Sequence, residues 1–390
     1  MLQPSVTRQL THAFQRLQRQ HVSTLQMTSQ ETSSFTQQNR FSWQFLLAFP
    51  NKLGCIPNRL FPEMLTNFLG IPSPAFEHGG FIGRLNPVQV DPYGHNVATC
   101  GDIPGPGFTY VHNKTRNCIV DLCRMANLDT KQEVVHPYRE YIPHNVQILY
   151  ESLPSTQRRC IRADIRVSNF PKHIEGISDW TITSNHTTPA IFEVKSIWPG
   201  ARYPPPTHLA GPIERATDKR GTDIEREYLK NAYDIDKSMN LGRPSFTGPG
   251  EKGPFELGLS KHLSRNVIPL VVGFLGETNK PLDNLVSNLA CLAAKTSYGR
   301  RLSVLSNGSR QSPEIILKEQ FRRRLGIEIA CAYAHVKLER LQLIGSTPQE
   351  ATDLATGHRN LRWWHRDSHF PSFFRTSYAQ NAFYRWRDLC

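Results

Sequence analysis

The residues with the clearest potential for chemistry are an acid and a lysine two positions apart in an apolar segment. Residues 190–196 have the sequence Ala-Ile-Phe-Glu-Val-Lys-Ser, and side chains alternate between the two faces of a β-strand. Glu193 and Lys195 therefore share one face, while Phe192 and Val194 point the other way into a core. A carboxylate beside an ammonium could hold a divalent cation and orient a water molecule next to it.

A second candidate strand upstream carries an acid of its own. Residues 161–167 alternate between apolar and charged side chains, and Asp164 lies on the charged face. If the two strands are neighbours, Asp164 and Glu193 could share a Mg²⁺ ion, which prefers oxygen ligands. Lys195 would then hold or polarise the nucleophilic water and stabilise negative charge on a phosphate.

The same residues also have a purely structural interpretation. Asp164 lies between Arg162 and Arg166, so it could belong to a surface ladder of salt bridges. Glu193 and Lys195 could pair with each other or with cross-strand neighbours. The metal-site hypothesis therefore depends on what the rest of the chain indicates.

The net charge favours a polyanionic partner. The chain has 390 residues, of which 46 are basic and 33 acidic, and its formal charge is +13 at pH 7. A surplus of this size attracts nucleic acid, although the arginines are spread along the chain. Arg162 and Arg166 share the face of Asp164 and could contact flanking phosphates of DNA.

Cysteine usage and the N-terminus indicate a nuclear or cytosolic protein that is not secreted. The eight cysteines have no regular spacing of the kind found in small disulfide-rich domains, and no signal peptide is visible. The longest apolar run, 267–275, is far shorter than the roughly 20 residues of a membrane span. We expect no membrane partner and no small-molecule cofactor.

Periodicity predicts the elements that must position these residues. Helices are predicted over 58–69, 112–128, 213–239, 281–297 and 312–344, and strands at 132–135, 161–167, 190–196 and 267–274. The order of strands and charged helix is typical of an α/β layer. The predicted fold class is therefore α/β (α+β). Gly70 is expected to end the first helix and Gly345 the last.

Composition divides the chain into four parts. Residues 1–40 form a polar segment rich in Gln, Ser and Thr, which is either a short amphipathic helix with a flexible stretch or a solvated linker. Residues 41–110 are helical and loop-rich, and 111–346 form the core with the candidate site. Residues 347–390 are a basic aromatic tail that could stack on single-stranded bases. The tail follows no helical or strand period, so we expect it to be poorly ordered.

The order of several short motifs resembles a known family. The motifs are Phe68-Leu69-Gly70-Ile71-Pro72, Asp91-Pro92-Tyr93-Gly94-His95 with Cys100, His112-Asn113, Ala163-Asp164, Phe192-Glu193-Val194-Lys195, Arg226-Glu227-Tyr228 and the segment from Leu270 to Glu277. Over roughly residues 40–300, this series resembles the restriction-endonuclease-like region near the C-terminal end of non-LTR-retrotransposon-type proteins. No reverse-transcriptase signature is present, so the chain looks like a detached, truncated or domesticated element end.

The resemblance implies a PD-(D/E)xK core, which is a small mixed sheet flanked by helices, and an activity that cleaves DNA with Mg²⁺ or Mn²⁺. In such a core, Asp164 and Glu193 would bind the metal and Lys195 would act at the nucleophile. It also implies that Lys219 or Arg220, in the charged helix, lies near the scissile phosphate.

One departure from the family pattern concerns zinc. The family places a zinc knuckle before the core, and here only its second half, His95 and Cys100, is retained, because residues 80–90 contain no cysteine. A structural Zn²⁺ site needs four ligands, so His78 and Cys118 would have to substitute. We therefore expect a zinc remnant, or ordinary loop residues, at this position.

A second departure concerns an acid that the family often carries shortly after the His-Asn pair. Asn117 occupies this part of the chain, and Glu133 is the best alternative acid. The pair His112-Asn113 itself indicates the start of a helix more than a catalytic pair.

These observations support a metal-dependent DNA endonuclease derived from a retroelement as the leading hypothesis. The alternative is a catalytically inactive nucleic-acid-binding module of a degenerate or domesticated transposable element. A decayed product without a selected function is the third interpretation, and the incomplete zinc knuckle favours it.

Overall fold

The structure of this chain is a computed structural model. It describes residues 37–47, 56–135, 142–152, 162–171, 187–198, 215–239, 253–258, 267–305 and 312–360. The polar segment 1–36 and the tail from 361 onward lie outside the described residues.

The sheet that carries the candidate residues is mixed. The strands are β1 (Phe81–Ile82), β2 (Val88–Gln89), β3 (Thr130–Val135), β4 (Arg162–Pro171), β5 (Thr187–Ile197) and β6 (Val267–Gly273). β1 and β2 form a small antiparallel pair, and the others form one sheet in the order β3-β4-β5-β6. β4 is antiparallel to β3 and β5, whereas β6 is parallel to β5. The predicted α/β class with a small mixed sheet flanked by helices is confirmed.

Helices surround this sheet. They are α1 (Phe61–Leu69), α2 (His95–Thr99), α3 (Phe108–Met125), α4 (His144–Ser152), α5 (Ala216–Ser238), α6 (Lys280–Lys295), α7 (Ser297–Leu305), α8 (Pro313–Glu339) and α9 (Pro348–Asn360). Each of the five predicted helices has a counterpart, and Gly70 caps α1 in the left-handed conformation as predicted. α4 has no clear signal in the sequence.

Helices cover both faces of the β5–β6 part of the sheet, which explains why β6 is almost continuously apolar, whereas β3 is polar and largely exposed and β4 alternates. Phe192, Val194 and Val272 pack against α3, α6 and α8 in the main core. Ile197 and Val271 lie on the opposite face, where α4 and α5 cover them. α5 lies in the crossover between the parallel strands β5 and β6, so the charged helix covers the face that presents Glu193.

The end of α8 differs from the prediction. α8 ends at Glu339 with Arg340 as its C-cap, and Gly345 is not the helix stop. The backbone of Gly345 instead pairs with Phe81 of β1. A Cβ at this position would lie 2.4 Å from the backbone nitrogen of Ala351, so close approach between backbones explains this glycine better than helix termination does.

The first part of the tail also differs from the prediction. Residues Pro348–Asn360 form α9, within the 347–390 segment that was expected to be poorly ordered. Ala351 and Ala355 of α9 are fully buried, because this helix packs against the β1 region. The local sequence pattern does not predict this contact. None of the described helices is both long enough and apolar enough to cross a lipid bilayer.

Candidate metal centre

Asp164 lies where the ladder between β4 and β5 ends. The last pair toward this end is Ile165 with Phe192, so Asp164 of β4 and Glu193 of β5 are the first residues beyond the paired part of the two strands. Asp164 Oδ2 accepts a hydrogen bond from the backbone N–H of Val194 at 2.8 Å. Asp164 is buried, so its carboxylate is held between the two strands. The predicted pairing of these strands is confirmed.

Glu193 and Lys195 lie side by side on β5, as the alternation predicts. Lys195 Nζ donates to Glu193 Oε1 at 2.5 Å. On the other carboxylate oxygen, the hydroxyl of Tyr228 from α5 donates to Glu193 Oε2 at 2.6 Å. Because each oxygen has its own donor, the orientation of this buried carboxylate is defined by an ammonium and a phenol.

Two side chains one turn apart on α3 reach the same part of the sheet. His112 Nε2 lies 3.2 Å from Asp164 Oδ1, and Arg116 forms an ion pair with Glu133 of β3. Residues at i and i+4 share a helix face. The interpretation of His112 as the helix start is wrong, because α3 begins at Phe108. His112 therefore falls in the second turn, where its side chain can face the sheet.

Glu133 lies next to Asp164 across the β3–β4 ladder. Gln132 pairs with Ile165 and Val134 with Ala163, which leaves Glu133 at the height of Asp164. Its backbone φ is +53°, in the left-handed region that residues other than glycine rarely adopt. Such strained positions are concentrated at functional sites. The regular pairs on both sides hold Glu133 in this conformation.

His112, Glu133 and Asp164 together form a candidate site for a divalent cation. One potential ligand atom from each side chain lies within 4.8 Å of the others. Two ligands at about 2.1 Å from a Mg²⁺ ion are at most about 4.2 Å apart, so small rotations bring these atoms to bonding distance. Carboxylates suit Mg²⁺ and Mn²⁺, whereas imidazole suits transition metals. The donor set therefore fits a hard divalent cation, with Mn²⁺ favoured over Mg²⁺.

The predicted ligand pair is thus only partly reproduced. Asp164 belongs to the group, but its partners are His112 and Glu133. Glu193 is close enough to Asp164 for the Asp164 charge to act on it, and it is bonded to Lys195 and Tyr228. A role for Glu193 as a metal ligand stays a prediction.

Charge interactions connect Asp164 of the candidate metal cluster with the neighbouring pair Glu193 and Lys195. Burial raises the pKa of Glu193 above its ordinary value, and the Asp164 carboxylate raises it further, against the opposing effect of Lys195. Burial by itself lowers the pKa of Lys195, but the neighbouring Glu193 and Asp164 carboxylates outweigh it, so the net pKa is raised. Lys195 is consequently an ammonium at neutral pH, and it supplies positive charge rather than acting as a base.

The two basic residues of β4 lie in different surroundings. Arg162 is 57% exposed, and its Nη1 lies 3.4 Å from Glu133 Oε2, so it borders the metal centre. Arg166 is half-buried and pairs with Lys131 and Ile191 in the two ladders. Arg162 is therefore the member of the predicted pair that the structure places beside the cluster.

The two predicted basic residues of α5 also differ. Lys219 is exposed in the first turns of the helix. Arg220 forms an ion pair with Glu227, in which Nη2 lies 3.0 Å from Oε2. The positive charge of Arg220 acts to lower the pKa of Lys195, which places its guanidinium near the Lys195 ammonium.

The remnant of the zinc knuckle has other partners. His95 packs against the rings of Tyr93 and Phe274 at 5.4 and 5.0 Å, and burial lowers its pKa to about 3. Cys100 donates to Asp102 Oδ1 at 2.9 Å, and burial raises the pKa of its thiol to about 11. Zinc binds the thiolate form. Neither residue belongs to a group of three potential ligands among the described residues.

The Asp91 motif forms a turn that starts α2. The Asp91 carboxylate accepts hydrogen bonds from the backbone N–H groups of Tyr93, His95 and Asn96. Gly94 adopts a φ of +66°, and a Cβ there would lie 2.2 Å from the ring of Phe76. This motif therefore has a local structural explanation.

Sequence reasoning assigned no role to Arg116 or Tyr228. Arg116 follows His112 by four residues inside the predicted helix 112–128, and this spacing by itself places both on one face. Tyr228 is one of the motif residues of the resemblance, but its contact with Glu193 depends on how α5 packs on β5.

Comparison of the chain with protein-family models, with curated proteins and with solved structures gives no match. What the site could do is therefore argued from its geometry.

Proposed function

We propose that this chain is a metal-dependent DNA endonuclease with a PD-(D/E)xK-type core, derived from a retroelement. The observation that carries the proposal is the cluster of His112, Glu133 and Asp164, whose potential ligand atoms lie within 4.8 Å of one another. Glu193 of the neighbouring strand is close enough to Asp164 for that charge to raise the pKa of Glu193, and Lys195 is bonded to Glu193. Carboxylates, an imidazole and an ammonium in one place match the needs of phosphodiester hydrolysis.

Each side chain has a defined task in this proposal. Asp164, Glu133 and His112 would hold a Mn²⁺ or Mg²⁺ ion, with Glu193 as a further ligand from the adjacent strand. A bound divalent cation supplies charge neutralisation at the phosphate and lowers the pKa of a coordinated water. The Lys195 ammonium adds fixed positive charge where negative charge develops on the phosphate oxygens.

The charge of the chain supports a nucleic acid as the substrate. The formal charge is +13, and Arg162 is exposed immediately beside the candidate site. Guanidinium groups bind phosphates through paired hydrogen bonds. DNA as the partner and a nuclear or cytosolic location both belong to this proposal.

The experiment is a nicking assay on supercoiled plasmid with Mn²⁺ or Mg²⁺. We expect nicking by the parent chain and a loss of at least about a hundredfold in rate for Asp164→Asn and for Lys195→Met, since each removes a charge that acts on the transition state. Matched controls are Asp353→Asn in α9 and Lys295→Met at the end of α6, which lie outside the site. If Asp164→Asn and Lys195→Met nick as fast as these controls, the proposal fails.

One observation favours the alternative, a catalytically inactive nucleic-acid-binding module. Every acid of the site already has an internal donor: Glu133 has Arg116 and Arg162, Glu193 has Lys195 and Tyr228, and Asp164 has Val194 and His112. A site neutralised in this way could retain the fold without the metal. This alternative predicts DNA affinity that falls steeply with salt and no nicking with either cation.

A further inference from the structure

The Glu133 carboxylate can pair with two arginines or bind a metal ion, but it cannot do both at once. Its Oε1 forms an ion pair with Arg116, and its Oε2 lies 3.4 Å from Arg162 Nη1. A carboxylate oxygen of the same residue is a member of the cluster with His112 and Asp164. A divalent cation among these ligands would lie within a few ångströms of two guanidinium groups, and like charges at such distances repel strongly.

The backbone limits how this conflict can be resolved. Glu133 is held at a φ of +53° between two regular ladder pairs, so the strand itself does not need to shift. Its side chain is 41% exposed, which leaves room for rotation about the side-chain bonds. Glu133 can therefore exchange its partners by side-chain rotation alone, while the backbone stays in place.

Once they lose Glu133, the two arginines can take another anion, and Arg162 is the more open of the two: its side chain is 57% exposed, whereas that of Arg116 is 10% exposed. Arg116 is one helical turn from His112 on α3, and Arg162 is two residues from Asp164 on β4, so both border the metal cluster. The fork of a guanidinium group matches the geometry of a phosphate. A phosphodiester of the nucleic-acid backbone carries one negative charge, as the Glu133 carboxylate does, and can replace it.

We propose that Glu133 is an exchangeable ligand that couples metal binding to phosphate binding. Without metal, the Glu133 carboxylate is paired with Arg116 and Arg162. With metal, the Glu133 side chain rotates to bind the cation, and the two arginines bind a phosphate of the nucleic-acid backbone. This inference rests on the proposed function, since it assigns regulation to the same site. Coupling of this kind is reciprocal, so the metal and the nucleic acid strengthen each other's binding by the same factor.

The test measures binding in a Lys195→Met background, which keeps the nucleic acid intact. Affinity for a fluorescent 20-base-pair DNA duplex is measured by anisotropy with and without Mn²⁺, and Mn²⁺ affinity is measured by calorimetry with and without the duplex. A gel confirms that the duplex is uncut. We expect each ligand to tighten the other about tenfold, within the usual range of coupling.

Two variants separate the coupling from simple electrostatics. Glu133→Gln leaves both arginines available, so duplex affinity without Mn²⁺ rises and the effect of Mn²⁺ on it falls to less than about threefold. Arg116→Gln removes one of the two arginines that compete with the metal for Glu133, so Mn²⁺ affinity without duplex rises and the reciprocal effect shrinks. Arg124→Gln, an exposed residue of α3 that pairs with Asp121, retains the full tenfold coupling as the control.

The outcomes distinguish the two proposals. If Mn²⁺ binds and the parent chain nicks plasmid, but Glu133→Gln and Arg116→Gln show the same coupling as Arg124→Gln, the exchange at Glu133 is overturned and the endonuclease proposal stands. If Mn²⁺ does not bind to the Lys195→Met chain or to the parent, both proposals are overturned.

Discussion

Two lysine–glutamate pairs in this chain show how the same chemistry can serve packing in one region and a site in another. Glu63 and Lys337 form an ion pair whose side chains are 2% and 1% exposed, whereas those of Glu193 and Lys195 are 7% and 34% exposed. The first pair is sealed on every side. The second keeps its ammonium end open to solvent, and therefore to a ligand.

The sealed pair belongs to what we call the anchor cluster, the buried polar residues through which the C-terminal end of α8 holds α1 and α2. Its members are Glu63, Asn67, Ser73, Lys337 and Arg340. Lys337 Nζ donates to Asn67 Oδ1 at 2.7 Å, and Ser73 Oγ donates to Glu63 Oε2 at 2.5 Å. The aromatic rings of Phe76 and Phe274 lie 5.5 and 5.3 Å from the ammonium. These contacts leave no approach for a substrate.

The two lysines titrate in opposite directions for this reason. Burial lowers the pKa of Lys337 and outweighs the attraction of Glu63 and Asp91. At Lys195, which is only partly buried, the attraction of Glu193 and Asp164 outweighs burial, and the pKa is raised. Each lysine has two carboxylates nearby, so the comparison teaches that a lysine–glutamate pair points to function when its ammonium is open to solvent, and to packing when both side chains are buried.

The largest expected effect is in the anchor cluster. Glu63→Gln leaves the Lys337 ammonium buried without its directly paired carboxylate, so the free energy of unfolding should fall by about 3–5 kcal/mol. Urea denaturation followed by circular dichroism measures this loss. In the double variant Glu63→Gln with Lys337→Met no unpaired charge remains, and part of the stability should return. A double variant less stable than Glu63→Gln alone would contradict the assignment of a sealed pair.

The second prediction concerns Arg340, the other buried cation of the anchor cluster. Its Nη1 donates to the backbone carbonyls of Val97, Ala98 and Cys100 at 2.9 to 3.0 Å. Arg340→Met removes these charge-assisted bonds and should lower the free energy of unfolding by about 2–3 kcal/mol. The exposed Arg300→Met is the control and should change stability by less than about 0.5 kcal/mol. Equal losses in the two variants would be inconsistent with an anchoring role.

A smaller stability effect with a shift in pH dependence is expected at Tyr228. Tyr228→Phe removes one hydrogen bond to Glu193, worth about 1 kcal/mol. That bond lowers the pKa of Glu193, so its loss raises the pKa further, and more of the carboxylate is protonated at a given acidic pH. The acid limb of the Mn²⁺-binding profile should therefore move to higher pH. Tyr298→Phe in α7 is the matched control, and a profile that coincides with it would rule out a positioning role for Tyr228.

The smallest stability effect is expected at the open pair itself. The pKa of Glu193 is raised above its ordinary value of 4.5, so the folded state binds this proton more tightly than the unfolded state does. Stability from this group is present at low pH and declines as pH rises from the ordinary value through the raised one. Glu193→Gln avoids this decline and should leave the melting temperature at pH 7 unchanged or slightly higher.

The readout for Glu193→Gln includes the metal. Mn²⁺ should raise the melting temperature of the parent chain by mass action, and this increment should shrink in the variant. If Glu193→Gln instead lowers the free energy of unfolding by more than about 2 kcal/mol, as expected for a buried pair with one partner removed, then Glu193 and Lys195 stabilise the fold in the same way as Glu63 and Lys337. The proposed difference between the two pairs would then be wrong.

Much of the site's framework followed from local patterns in the sequence. Alternation in residues 161–167 and 190–196 predicted both strands and the shared face of Glu193 and Lys195, because side-chain direction in a strand depends only on position. Gly70 marked the end of α1 for a similar reason, since a left-handed cap favours glycine. Positions that depend on a distant partner were missed or misjudged, as Gly345 shows, because nothing near it in sequence reveals its pairing with Phe81.

By itself, the sequence determined which residues can do chemistry and which strand face presents them. Only the tertiary structure decided which of them meet: His112 and Glu133 join Asp164, while Glu193 is held by Tyr228. The physical reason is that periodicity is a property of one segment. Strand register and helix docking, in contrast, result from burying apolar faces of segments that lie far apart in the chain.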